Sequence, residues 1–280
     1  MIHFIKKAMR LLGITPKMVQ YGHTIVQFNL PNQDQGVEFA QWNNPHEKPK
    51  IIHANQLQFF AQFIKPGQMA IDIGAHTGDT TVPMALVAGK QGLVLAFDPN
   101  PLVFEVLKIN ASLNPNLTNI MAYPYAVAEQ SGEFYYHSSE NSFNNGGISA
   151  KNDGQHGAFD LGQTVQAVEL TAFLQKNHPD KLPQLALIKI DAEGYDLQII
   201  SAISNLINNY KPVIIAECFS KLNKAQRSQM WETMHQHGYE LFYFSGFDIN
   251  AKVIKLASPS DMLRWKHFDW YGLPAGENKT

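Results

Sequence analysis

Cysteine is almost absent from this chain: Cys218 is the single one in 280 residues. That excludes an intramolecular disulfide and a multi-cysteine zinc site, and it sets the expectation of a reducing, cytoplasmic setting. The apolar run from Val213 to Phe219 around it reads as core. Charge is sparse as well. Asp, Glu, Lys and Arg make up 16% of the residues and the formal net charge is −2. The basic surplus needed to track a phosphate backbone is missing, so no nucleic-acid partner is expected. No stretch approaches the roughly 20 apolar residues that span a bilayer. Met1 to Ile14 lacks the uninterrupted apolar run and small-residue cleavage site of a secretory signal. Its Lys6, Lys7 and Arg10, set among Phe4, Ile5, Leu11 and Leu12, fit a docking helix first and weak contact with a membrane surface second. Internal repeats are lacking too, and nothing in the sequence sets an oligomeric state.

What is present is 45% hydrophobic residues, enough for one large α/β domain. From Met69 onward short apolar strands alternate with helical segments, which predicts a mostly parallel sheet with helices on both faces. Strands are expected at Met69 to Ile73, Leu93 to Phe97, Asn119 to Ala122 with Ala126 to Val127, Leu185 to Ile190 and Val213 to Glu217. Helices are expected at Thr80 to Ala88, Pro101 to Asn110, Leu197 to Asn208 and Ala225 to His237. Tyr239 to Phe244 and Ala251 to Leu256 read as a C-terminal antiparallel hairpin. Before Pro66 the chain reads as an appendage: a strand at Thr24 to Asn29, a polar loop at Asn43 to Pro49, then an amphipathic helix carrying Leu57, Phe60, Ala61 and Ile64. The expected division is an extension over 1–50 serving as substrate cap or docking segment, a catalytic domain over 51–258 and a tail over 259–280.

Three strand ends carry acids. Ile71-Asp72-Ile73-Gly74-Ala75-His76-Thr77-Gly78 runs from an apolar strand through a glycine-bearing turn into a helix, a nucleotide-type turn whose glycines let a ligand approach the backbone. A dinucleotide fold wants Gly-x-Gly-x-x-Gly; here residue 76 is His, which weighs against an NAD-dependent oxidoreductase. Asp72 stands where a carboxylate reaches the amino group of a methionine moiety. The next strand ends in Asp98-Pro99-Asn100, and Asp98 suits both hydroxyls of a ribose, with helix capping as the plainer alternative. The third strand end is Lys189-Ile190-Asp191-Ala192-Glu193-Gly194. Asp191 and Glu193 leave it on one side by two-residue alternation, and Lys189 shares that side, so an ion pair is the plainer reading of these acids.

Together with Asn144-Asn145-Gly146-Gly147-Ile148-Ser149 and Ile214-Ile215-Ala216-Glu217, these blocks resemble the FkbM family of S-adenosylmethionine-dependent methyltransferases from about Ile52 to Phe244. The resemblance implies a Rossmann-like class I methyltransferase fold with a seven-stranded sheet, S-adenosyl-L-methionine as cofactor, and transfer to a hydroxyl of a sugar, polyketide or related small molecule. Its implied cofactor contacts are Asp72, Gly74, Ala75, His76, Thr77, Gly78, Asp98, Pro99, Asn100 and Asp191. Its implied acceptor contacts are Asn145, Gly146, Gly147 and Ser149, on a loop from Ser138 to Gly157 expected to close over the site, and Glu217 at the end of the Val213 to Glu217 strand. Many members carry a Leu-Asp-Asp block where this chain has Leu170-Thr171-Ala172.

Methyl transfer to a hydroxyl needs alignment and removal of a proton. Asp191 and Glu193 are the candidates for that work, ahead of His53, His76 and His137. A divalent ion held by Asp191, Glu193 and Glu217 is an alternative way to acidify the hydroxyl. A non-catalytic adenosylmethionine or nucleotide binder with the same fold is the competing class.

Overall fold

The computed structural model describes residues 19–31, 36–138, 143, 146–149 and 159–276. The basic N-terminal segment Met1 to Ile14, Asn145 and most of the loop expected to close over the site lie outside the described residues. In chain order the elements are β1 (His23–Phe28), β2 (Val37–Trp42), α1 (Ala54–Ala61), β3 (Met69–Ile73), α2 (Thr81–Ala88), β4 (Leu93–Phe97), α3 (Pro101–Ser112), β5 (Ile120–Tyr123), β6 (Ala126–Val127), β7 (Gly132–Ser138), β8 (Gly146–Ser149) and β9 (Phe159–Val168). There follow α4 (Leu170–Asn177), β10 (Leu185–Ile190), α5 (Asp196–Ala202), α6 (Ser204–Tyr210), β11 (Val213–Cys218), α7 (Lys224–Gln236), β12 (Tyr239–Phe244), β13 (Val253–Leu256) and β14 (Phe268–Pro274). Among the described residues no helix is long and apolar enough to cross a membrane.

The main sheet has eight strands in the order β13-β12-β14-β11-β10-β3-β4-β5. β3, β4, β5, β10 and β11 run parallel, and the strands beyond β11 are antiparallel. Every residue of β3, β4, β10 and β11 is buried, which is why these strands read as continuous apolar runs. Successive side chains serve opposite faces. Ile71, Ile73, Ile188 and Ile190 pack with Leu197, Ile200, Met230 and Met234 on one side; Ala70, Val94 and Leu187 pack with Phe59, Phe60, Met84 and Ala85 on the other. The fold is the α/β class that the alternation predicts, in the Rossmann-like form that the resemblance implies, with one more strand than expected.

The extra strand corrects the assignment of 259–280 as a tail. β14 lies between β11 and β12, and its Trp270 is fully buried. Gly272 and Pro274 make the segment look like a chain end, but antiparallel pairing on both sides overrides their weak strand preference. The expected helix over Leu197 to Asn208 is two helices meeting at Ile203, where the Ser204 hydroxyl donates to the Ser201 carbonyl at 2.6 Å in competition with the backbone pattern. The segment between β5 and α4 forms a second sheet, β6-β9-β7-β8, with its own core of Tyr136, Ile148, Leu161 and Val165.

The N-terminal segment is no appendage from β1 onward. Val37 and Phe39 pack against Val82 and Leu86 of α2. Asn110 on α3 and Asn114 just after it act as surrogate backbone: the Asn110 amide accepts from Ala40 N at 2.6 Å and donates to Ala40 O at 3.1 Å, and Asn114 does the same with Glu38.

Candidate active site

Across the main sheet β3, β4 and β5 step one way and β10 and β11 the other, so the connectivity reverses between β3 and β10. Connections on either side of such a reversal leave in opposite directions and open a crevice at the carboxyl ends of the strands. A cavity of about 270 Å³ opens there.

The turn after β3 is fixed from both sides. Gly74 N and Ala75 N donate to Phe97 O at the end of β4, and Asp191 N at the end of β10 donates to Ile73 O. Gly74 has φ +71°, and a Cβ there would lie 1.8 Å from the Asp191 carbonyl oxygen. Glycine is therefore required by the neighbouring strand itself, before any ligand is considered. His76, with φ +50°, and Gly74 line the cavity. Ala75, Thr77 and Gly78 do not; Gly78 turns against Leu107 of α3, and the Thr77 carbonyl accepts from Asn110.

Asp72 corrects the expectation that it contacts a ligand. It is fully buried, Thr80 and Thr81 hydroxyls donate to its Oδ2 at 2.8 and 2.7 Å, and the Lys189 ammonium lies 3.1 Å from its Oδ1. A carboxylate so enclosed braces the start of α2 and does not reach the cavity. Lys189 also approaches Asp191 Oδ2 at 3.5 Å, so the plainer reading of this lysine holds, with Asp72 as its nearer partner. Burial alone would lower the Lys189 pKa, but the charges of Asp72 and Asp191 outweigh it and the pKa is raised.

Asp98, Pro99 and Asn100 line the cavity on the β4 side. Asp98 Oδ2 accepts from His76 N at 2.8 Å and Oδ1 from Asn100 N at 2.9 Å. Burial raises its pKa against the opposing influence of His76 and these backbone donors. The helix cap is Asn100, whose Oδ1 accepts from Leu102 N, while its Nδ2 donates to Phe143 O at 2.7 Å. Gly146 and Gly147 of β8 reach the cavity, and Ser149 does not.

Asp191 and Glu193 both line the cavity. Asp191 is half exposed. Glu193 sits in the left-handed region at φ +51°, an uncommon place for a residue with a side chain and one that structures hold mainly where the surroundings dictate it. Burial, and then the charge of Asp191, push its carboxyl up to about 7. Behind it Asp196, fully buried, accepts from Gly194 N and Glu217 N at 3.2 and 3.3 Å and is pushed up to about 8 by burial and Asp191.

Glu217 is absent from the cavity wall. Its Oε1 pairs with His267 Nε2 at 2.9 Å, and burial with the surrounding acids pushes it up to about 10. Among the described residues no group of three His, Cys, Asp or Glu side chains is arranged to hold a metal ion, so the alternative of an ion held by Asp191, Glu193 and Glu217 finds no support. Of the histidines, His53 caps α1 by accepting from Gln56 N, and His137 is buried on β7. Where the Leu-Asp-Asp block was missing, Glu169 caps α4 through Thr171 N and Ala172 N.

Several wall residues were not singled out from sequence. Glu47, Lys50 and Gln56 come from the segment before β3, Asp79 from the turn after it, and Tyr136 from the small sheet. An isolated Glu, Lys or Gln in a polar stretch carries no motif; only the docking of β2 on α3 brings the loop after it to the cavity.

A family model described as the methyltransferase FkbM domain matches residues 72–241. The chain is similar to the hexuronic acid methyltransferase AglP of Haloferax volcanii, at 22% identity over 145 residues, covering 51% of this chain and 53% of that protein. It thus spans about half the length of that relative. Among solved structures it is similar to a methyltransferase FkbM from Methylobacillus flagellatus KT, with 11% identity, coverage of 78% of this chain and 50% of that one, and a TM-score of 0.41. It is also similar to an S-adenosylmethionine-dependent O-methyltransferase from Thermotoga maritima, with 9% identity, coverage of 90% and 77%, and a TM-score of 0.42. The family match takes in more than half of the chain and the ends of β3, β4 and β10 that build the cavity: this chain belongs to the FkbM methyltransferase family.

Proposed function

We propose that this methyltransferase uses S-adenosyl-L-methionine and methylates a hydroxyl of a sugar, polyketide or related small molecule. The observation that carries the reading is Glu193: a carboxyl pushed up to about 7, held in a left-handed turn at the rim of the cavity that Asp98 shares. A general base works best when its pKa lies near the operating pH, and this one is poised there.

The residues fit the cofactor. Each Asp98 oxygen takes one backbone N–H, and a carboxylate has about four lone-pair sites, so acceptor capacity remains for a ribose diol. Beyond Asp98, Tyr125, Ala126 and Val127 after β5 give a largely apolar wall suited to a base. When bound, S-adenosylmethionine supplies an electrophilic methyl group. Glu193 would accept the proton of the acceptor hydroxyl as that oxygen takes the methyl group, the methyl carbon–sulfur bond breaking and S-adenosylhomocysteine leaving as the neutral thioether, and Asp191 would orient that hydroxyl. Gly146 and Gly147 contact the acceptor from the small sheet, with Asn145 beside them in sequence. The named activity of the Haloferax relative, on a hexuronic acid, favours a sugar-like acceptor over a polyketide.

A purely binding protein of this fold needs no proton acceptor at the rim, so Glu193→Gln separates the readings. The expected result is unchanged S-adenosylmethionine affinity by calorimetry with turnover lost on the acceptor found by a methyl-transfer screen of hydroxylated sugars, lipids and polyketides. Unchanged turnover in the variant overturns the assignment of the base.

A further inference from the structure

The cavity has a second polar end, away from Glu193, that the family-matched segment does not supply alone. Glu47 and Lys50 line it from the loop after β2, and Asp79 and His76 line it from the turn after β3. The Lys50 ammonium lies 2.8 Å from Glu47 Oε1 and 3.2 Å from Asp79 Oδ2. An ammonium has three N–H donors, and these two carboxylates take two of them. Glu47 is nearly buried, and its other oxygen stands 3.9 Å from His76 Nε2. The loop is held rigidly. The Gln41 side chain of β2 accepts from Lys50 N at 2.8 Å and donates to Lys50 O, and the Trp42 ring meets the His76 ring edge-on at 6.0 Å. Gln56 lines the same end; its Nε2 donates to Asp79 O, which leaves its Oε1 buried without a hydrogen-bond partner among the described residues.

A cation and an anion side by side, with an unpartnered amide acceptor next to them, form a surface complementary to a zwitterion. One class of ligand fits a cavity with an apolar wall after β5, a diol-reading acid after β4 and a zwitterionic end beside the turn after β3: a nucleoside joined to an α-amino acid. We propose that Lys50 and Glu47 bind the α-carboxylate and α-ammonium of the amino-acid end of the cofactor, a role that the buried Asp72 cannot fill. The inference rests on the reading of S-adenosylmethionine as the cofactor. It assigns to the N-terminal segment, outside the residues matched by the family, half of the cofactor site. Lys50 offers its third N–H to the ligand carboxylate, and Glu47 and Gln56 accept from the ligand ammonium.

The test compares two ligands that differ only at that end. S-adenosylhomocysteine carries the amino acid, and 5′-methylthioadenosine keeps the nucleoside and sulfur without it. Calorimetric titration of the wild-type protein should show tighter binding of S-adenosylhomocysteine. In Lys50→Met and Glu47→Gln that advantage should fall by about tenfold or more, the scale of a charge-assisted hydrogen bond, while 5′-methylthioadenosine affinity stays within about twofold. Lys50→Arg, which keeps the cation, should retain most of it. Variants that keep the full advantage overturn the inference. Variants that weaken both ligands equally assign the pair to holding the loop and overturn it too. Failure of the wild type to bind either ligand overturns the cofactor reading and this inference with it, whereas a lost advantage on the one ligand alone supports both.

Discussion

Lys189 and Asp72 face each other across the β3–β10 register with their charged groups 3.1 Å apart and both side chains buried. Lys189 lines the cavity and Asp72 does not, and the pair ties together the two strands between which the sheet reverses direction. A buried pair of this kind is costly to break from one side, because the remaining charge is stranded. Lys189→Met should therefore destabilise the protein by about 3–5 kcal/mol. Chemical denaturation of wild type and variant measures it, and a loss below about 1 kcal/mol, the scale of an exposed ion pair, contradicts the brace.

Gly74 offers a sharper test of what the turn after β3 is for. Its left-handed backbone and the 1.8 Å approach of a Cβ to the Asp191 carbonyl mean that even alanine cannot be accommodated without separating β3 from the end of β10. Gly74→Ala should destabilise by about 4 kcal/mol or more, in the range reserved for core disruption or backbone strain. The measurement is a melting curve without ligand. A variant that melts like wild type but fails to bind adenosylmethionine shifts the requirement for glycine back to the ligand.

Glu193 makes a prediction in pH. Its carboxyl, pushed up to about 7, is ionised and able to accept a proton above that pH and is protonated below it. Turnover should rise with pH through about 7, and Glu193→Gln should both remove that limb and lower turnover by about 10²- to 10⁴-fold. A limb at the same pH in the variant assigns it to another group.

The parallel core was legible because strands buried on both faces have a continuous apolar signature, and Met69 to Ile73 and Leu185 to Ile190 emerge with the expected bounds. The acids at three strand ends were legible in position but not in orientation. Two-residue alternation puts Lys189 and Asp191 on one side; it does not say that Lys189 pairs more closely with Asp72 of the neighbouring strand, or that Thr80 and Thr81 close over Asp72. β14 and the small sheet were missed because their strands are specified by pairing partners distant in sequence. Lys50 and Glu47 reach the cavity only through the grip of Asn110 and Asn114 on β2, a tertiary contact with no local signal.

The last prediction concerns the acids behind Glu193. Asp196 is fully buried, pushed up to about 8 by burial and by Asp191, and surrounded by Glu193 and Glu217, with Asp269 and His267 beyond. In the unfolded chain its carboxyl titrates near the ordinary value of about 4. Between about pH 4 and pH 8 the folded protein therefore holds a proton that the unfolded chain has released, and stability falls as pH rises through that window. One such proton contributes a slope of up to about 1.4 kcal/mol per pH unit. Glu193, pushed up to about 7, and Asp269, pushed up to about 6, act in the same direction. The raised pKa of Lys189 adds stability that is fully present below its unfolded pKa of about 10.4, so it does not offset the fall. Asp196→Asn mimics the protonated acid and should flatten the slope by about 1 kcal/mol per pH unit. It should lose stability at low pH, because one amide oxygen replaces two that accept from Gly194 N and Glu217 N, and regain ground on wild type as pH rises. Urea denaturation of both proteins across the window decides the matter, and parallel stability curves would mean that Asp196 stays ionised in the fold.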